Sequence, residues 1–214
     1  MTGTLDRRLT RLGLVAILRG VEPDEVVAIG QALLDAGFEV IEVPLNSPRP
    51  LDSIRRLADA FAERAIIGAG TVLDAGAPAR IRDAGGTLVV MPHGDGAVVR
   101  AAKDCGLHCV PGVATPTEAF AALAAGADGL KMFPAEALPP VVVKAWRAVL
   151  PRDVALLPVG GITPASIAPY RAAGASGFGL GSALYRPGMD ATAVAERATA
   201  FAAAWAASDP QGTD

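Results

Sequence analysis

A helix-like stretch closing on a small residue and a glycine, followed at once by a short apolar run, recurs along this chain. Ala36-Gly37 precedes 38–43, Ala84-Gly85 precedes 87–91, Cys105-Gly106 precedes 107–110, Ala125-Gly126 precedes 127–134, and Ala173-Gly174 precedes 177–180. Glycine there suits the left-handed backbone that ends a helix, and an apolar run bounded by such a signal reads as a buried strand. Two more runs, 65–69 and 154–159, follow Glu63-Arg64 and Pro151-Arg152, and 14–18 opens the series. The strands therefore recur roughly every 20–25 residues, eight times in all.

Between them lie amphipathic segments with helix-start signals: Pro23-Asp24-Glu25, Ser47-Pro48, Thr115-Pro116-Thr117-Glu118 and Thr163-Pro164. Alternation of strand and helix implies a parallel sheet, and eight units imply an α/β fold of the (β/α)8 TIM-barrel type. An open doubly wound sheet is the alternative, but it more usually carries five or six strands. An extra N-terminal helix over 5–12 is expected to cap the bottom of the barrel, with one domain over 1–207 and a disordered tail over 208–214. No linker or second domain is visible.

Composition narrows the function. Half of the 214 residues are hydrophobic, yet no apolar stretch is long enough to span a bilayer. The N-terminal Met-Thr-Gly-Thr-Leu-Asp-Arg-Arg lacks the apolar segment of a secretory signal, so a cytoplasmic protein with no membrane partner is expected. A net charge of −3 with scattered arginines offers no basic stripe for nucleic acid. Cys105 and Cys109 are too few for a disulfide framework and are expected to be reduced; His93 and His108 have no metal-ligand spacing and are read as structural. No metal and no cofactor is expected.

In such a barrel, chemistry sits at the C-terminal ends of the strands. Those ends read Arg19-Gly20, Glu42 to Asn46, Gly68-Ala69-Gly70-Thr71, Met91-Pro92-His93, Pro111-Gly112, Lys131-Met132-Phe133-Pro134, Val159-Gly160-Gly161 and Gly179-Leu180-Gly181-Ser182. Lys131 stands out, because only three of the 19 basic residues are lysines and the other two, Lys103 and Lys144, fall in helix-like segments. Loss of water lowers a buried lysine's pKa and frees the lone pair that a Schiff base requires. A lysine snorkelling from a strand end to solvent fits the position equally well.

Alternation puts Phe38, Val40 and Glu42 on one face, so Glu42 points into the barrel mouth if Val40 points inward. There it suits proton shuttling, or alternatively a rim salt bridge with Arg19. Gly129 leaves room below Lys131, and Phe133 walls its pocket. Arg19 and Thr71 offer donors for a carboxylate. Gly160-Gly161 and Gly181-Ser182 are either tight turns or, as the loops after strands seven and eight, a phosphate seat.

These residues, in this order, resemble the 2-keto-3-deoxy-6-phosphogluconate aldolase family, the class I pyruvate aldolases. The resemblance runs from Ala16-Ile-Leu-Arg19-Gly to about Arg186, through Gly37-Phe-Glu-Val-Ile-Glu42-Val, Ile67-Gly-Ala-Gly-Thr71-Val, Pro111-Gly-Val-Ala-Thr-Pro-Thr-Glu118, Leu130-Lys131-Met-Phe133-Pro-Ala, Val159-Gly-Gly-Ile-Thr-Pro164 and Gly179-Leu-Gly-Ser182. It implies that Lys131 is the Schiff-base lysine and Glu42 the proton shuttle. Gly160, Gly161 and Ser182 would hold phosphate, with Arg19, Asn46, Thr71, Pro92, Phe133, Val159 and Gly181 around the rest of the substrate.

Asn46 and Val159 stand where the gluconate enzymes carry an arginine and a threonine, and both match the galactonate branch. The implied reaction is cleavage of 2-dehydro-3-deoxy-6-phosphogalactonate to pyruvate and glyceraldehyde 3-phosphate. The implied assembly is a homotrimer. The alternatives are the C4-epimeric gluconate substrate, 4-hydroxy-2-oxoglutarate, or a barrel that binds sugar phosphates without turning them over.

Overall fold

A computed structural model describes residues 4–208. Helix α1 (Thr4–Arg11) leads into strand β1 (Leu14–Ile17). Strands β2 (Val40–Pro44), β3 (Ile66–Gly70), β4 (Leu88–Val90) and β5 (His108–Val110) follow, each preceded by a helix: α2 (Val26–Asp35), α3 (Pro50–Phe61), α4 (Ala77–Asp83) and α5 (Gly96–Asp104). The second half runs β6 (Gly112–Val113), α6 (Pro116–Ala124), β7 (Gly129–Met132), a 3-10 turn (Ala135–Ala137), α7 (Pro140–Arg147), β8 (Ala155–Pro158), α8 (Pro164–Ala172), β9 (Phe178–Leu180) and α9 (Ala191–Ala207).

Every strand pairing is parallel. One curled sheet has the order β5-β4-β3-β2-β1-β9 and the other β6-β7-β8. The expected fifth strand is split at Pro111, which has no N–H to give the ladder and divides β5 from β6. Pro111 still accepts from the Lys131 amide at 2.9 Å, so β7 follows both pieces. Between β8 and β9 run a bridge pairing Val159 with Gly179 and a bond from the Ser176 amide to the Leu156 carbonyl.

The strands are buried on both faces, as parallel strands covered by helices must be. Alternate residues face the helices, among them Leu14, Ala16, Ile41, Val43, Leu130 and Leu156. The others, Val15, Val40, Ile66, Leu88, Val90, Val110, Ala155 and Leu157, meet inside and are joined there by Leu5 and Leu9 of α1. This inner apolar plug supports whatever lies at the strands' C-terminal ends.

Most local signals hold. The five helix-ending glycines, Gly37, Gly85, Gly106, Gly126 and Gly174, all have positive φ. Thr115 and Glu118 form the reciprocal capping box that opens α6, a device worth about 1 kcal/mol. Two expectations are corrected. Phe38 lies before the strand and packs in the outer, helix-facing cluster, because regular pleating starts only at Val40. Ser47 does not cap α3, which starts from Arg49 in a left-handed conformation; its hydroxyl instead accepts the Gly20 amide at 2.9 Å and ties two rim loops together. Of the expected tail, Ser208 closes α9 through the Trp205 carbonyl and the remainder lies outside the described residues. Among the described residues no helix is long and apolar enough to cross a membrane.

Candidate active site

Lys131 occupies the penultimate position of β7, with Gly112 and Leu157 as its neighbours in register. Its side chain points inward, where only 6% of the residue is exposed. The snorkelling alternative is thereby excluded. The Phe133 ring lies 4.7 Å from the amine and walls one side, as expected. Burial drives the Lys131 pKa down; Glu42 pulls it back up and Arg19 lowers it further. The ring face favours the ammonium and works against burial, by an amount on the order of 1–2 kcal/mol.

Glu42 lies on β2, in register with Ile17 and Gly68, and is 2% exposed. It owes its room to Gly70: a methyl group there would overlap its carboxylate. One carboxylate oxygen, Oε2, is buried without a hydrogen-bond partner. Such an atom is costly unless the group takes up a proton. Burial accordingly lifts its pKa to about 7, against the smaller opposing pull of Lys131 and Arg19. Among the described residues it makes no ion pair, and Arg19 is engaged by Asn46 and Thr71.

Arg19 donates to Asn46 Oδ1 at 2.6 Å and to Thr71 Oγ1 at 3.2 Å. Thr71 holds φ at 53°, a left-handed conformation uncommon for a threonine and characteristic of residues held for a purpose. Asn46 is thus brought to the site through the guanidinium and does not line the cleft itself. The loop Gly160-Gly161 has positive φ at both residues, which turns the backbone sharply ahead of α8. Gly181 and Ser182 face it across the cleft.

Two spaces share Lys131. Below it a small apolar cavity is walled by Val15, Val40, Leu88, Val110 and Leu157, with Glu42 and Lys131 as its polar members. Above it an open cleft runs from Arg19, Thr71 and Pro92 past Phe133 and Val159 to Gly160, Gly161, Gly181 and Ser182. Every residue expected at the site therefore lies on it or, for Asn46, one contact away. Electrophile capture at the amine and proton transfer at the carboxyl are chemically available in one dry pocket, with anion donors at either end.

The cleft also holds groups the sequence reading missed: Glu136, Ile162, Thr163 and Arg186. Arg186 carried a usable signal, standing four residues beyond Ser182, whose carbonyl it now binds at 3.0 Å. Glu136 carried none, since it reaches from the loop after β7 to the loop after β8. His93 is exposed and does not line the cleft, and His108 starts β5 near Asp128. No group of three or more His, Cys, Asp or Glu side chains suited to a metal occurs among the described residues.

Comparison with known proteins agrees with this geometry. Residues 5–197 match the family model described as KDPG and KHG aldolase. The chain is 47% identical over 196 residues to the 2-dehydro-3-deoxy-6-phosphogalactonate aldolase of Escherichia coli, covering 92% of this chain and 96% of that protein. It is 49% identical over 192 residues to a probable 2-dehydro-3-deoxy-6-phosphogalactonate aldolase of Rhizobium meliloti, covering 90% and 91%. A solved structure described as native KDPGal superposes with a TM-score of 0.91 at 46% identity, covering 93% of this chain and 97% of the other.

Proposed function

We propose, from the premise that this chain belongs to the KDPG and KHG aldolase family, that it is a carbon–carbon lyase cleaving 2-dehydro-3-deoxy-6-phosphogalactonate to pyruvate and glyceraldehyde 3-phosphate. The observation that carries this reading is the unpaired, dehydrated Lys131 and Glu42 facing one cavity.

Neutral Lys131 attacks the C2 ketone and water leaves, forming an iminium that draws electrons from C3. Glu42, through a water, removes the C4 hydroxyl proton as the C3–C4 bond breaks, and glyceraldehyde 3-phosphate departs. The same carboxyl returns a proton to C3 of the enamine; hydrolysis then frees pyruvate and the amine. A carboxyl with a pKa of about 7 suits both halves of this shuttle. The iminium serves as the electron sink, so the chemistry calls for no Lewis acid.

Arg19, positioned by Asn46 and Thr71, receives the substrate carboxylate. Gly160, Gly161, Gly181 and Ser182 seat the phosphate, with Pro92 and Phe133 against the carbon chain, so remote binding becomes orientation at C3 and C4. Val159 presents an apolar wall where a threonine would offer a hydroxyl, which favours the galacto configuration at C4.

The strand pairings are read as a closed (β/α)8 barrel with α1 as an extra helix beneath it. The Val159–Gly179 bridge and the hydrogen bonds across Pro111 support that closure. A homotrimer in the cytoplasm belongs to the same reading. Exposed Leu73, Phe120 and Val141 are large apolar groups that partner copies would cover, and light scattering at three times 21.7 kDa checks it.

Coupled pyruvate detection with both C4 epimers tests the function. The galactonate epimer should be cleaved faster, and borohydride with pyruvate should mass-label the peptide containing Lys131. Equal or reversed rates would sink the epimer assignment, and an unlabelled Lys131 would sink the mechanism.

A further inference from the structure

Glu136 stands at the tip of the 3-10 turn after β7 and is exposed to the cleft. The turn is fixed from beneath. The Tyr170 hydroxyl donates to the carbonyls of Ala135 and Leu138 at 2.9 and 3.1 Å, and the Ala135 amide donates to the Val159 carbonyl at 2.8 Å. The carboxylate is laid against Gly160 and Gly161. A methyl group at Gly160 would overlap it, and one at Gly161 would come within 2.9 Å of its Cγ. Among the described residues Glu136 has no hydrogen-bond or ion-pair partner, although Arg186 lines the same cleft. An uncompensated negative charge therefore sits in the loop otherwise best suited to an anion. Gly181, across the cleft, has open space around it.

We infer that Glu136 is a specificity-determining residue for the distal end of the substrate, lowering the site's preference for a dianionic end over a neutral hydroxyl end. The inference rests on the reading above that this loop seats the phosphate. The braced turn fixes the backbone of Glu136 beside Gly160-Gly161, so a phosphate seated on that loop lies within reach of its charge. Two unit charges about 4 Å apart in water repel enough to change an affinity about fivefold. Because the carboxylate is exposed, salt screens the effect.

The test compares wild type with Glu136→Gln in the condensation direction, using pyruvate with glyceraldehyde 3-phosphate or with unphosphorylated glyceraldehyde. The ratio of kcat/KM for the phosphorylated over the unphosphorylated aldehyde should rise about fivefold, and Ki for inorganic phosphate should fall by a similar factor. Both changes should shrink as ionic strength rises, whereas Glu136→Asp, which keeps the charge, should stay nearer wild type. A ratio unchanged within about twofold would overturn the inference. So would a selective loss of the phosphorylated substrate, which would make Glu136 an organiser of the seat. Phosphate binding measured by calorimetry separates this outcome from failure of the aldolase reading, since it requires no turnover. If neither protein binds inorganic phosphate, the inference falls whatever the enzyme cleaves.

Discussion

Two lysine–carboxylate couples lie at opposite ends of one strand. At the start of β7, Asp128 accepts from Lys103 Nζ at 2.6 Å and from the Cys109 amide at 2.8 Å, with His108 3.8 Å away; Lys103 also binds the Leu107 carbonyl. Both side chains keep about a third of their surface in water. Burial raises the Asp128 pKa, but nearby His108 and the hydrogen bonds from Lys103 and the Cys109 amide outweigh it, and the net shift is downward. Three residues further on, Lys131 shares a dry cavity with Glu42, and the two form no direct ion pair. There the carboxyl moves up and the amine moves down. The same two functional groups make a brace where they are hydrogen-bonded and wet; where they are unpaired and dry their pKa values move toward each other, which is what the proposed mechanism requires of a reactive couple.

The comparison breaks most sharply on the lysines. Lys131→Met should lower pyruvate release on the order of 10⁴-fold or more, while Lys103→Met should keep turnover within a few-fold and lower Tm instead. Steady-state kinetics beside thermal melts of the two variants decide this. Turnover surviving in Lys131→Met would erase the distinction.

Glu42 sharpens it through pH. Its folded-state pKa, about 7, exceeds the ordinary 4.5, so its contribution to stability is complete below about 4.5 and is lost as pH rises through 7. Removing the charge should therefore help the fold progressively from about pH 4.5 upward, with the full effect reached once the pH passes about 7. Glu42→Gln is expected to lose about 10²- to 10⁴-fold in kcat, yet to melt higher than wild type at pH 8 by at most about 3 kcal/mol in stability, and nearly with it at pH 5. A lower melting point at pH 8 would contradict the account of a carboxyl held dry and unpaired. Asp128 should behave oppositely, its contribution being present above its ordinary 3.8 and lost on acidification.

The smallest effect comes from Gly70, which has ordinary strand backbone at the end of β3. Gly70→Ala should leave the fold standing but push the Glu42 carboxylate aside, costing roughly tenfold or more in kcat. A circular dichroism spectrum like wild type, with normal rates, would show that the carboxyl's exact seat does not matter.

Much of this was legible beforehand because it is local. A glycine ending a helix, Thr115 three residues before Glu118, and a lone lysine in an apolar run each act over a few residues. The site residues were readable as a set because a parallel α/β sheet gathers its strand ends on one rim. Phe38 was misplaced because alternation does not reveal where pleating begins. Ser47 was misassigned because Gly20, 27 residues away, competes for its hydroxyl.

The chain's own order of residues determined the alternation of elements, the lysine's place in an apolar strand and the glycine turns, since propensity, capping and periodicity are short-range; that the lysine points inward was decided by its burial in the fold. Only the tertiary structure decided which charges find partners. Asn46 and Thr71 occupy Arg19 and leave Glu42 unpaired, while Glu136 crosses to a neighbouring loop. Such outcomes turn on ångström-scale register between segments far apart in sequence, and water is excluded or admitted only once those segments have packed.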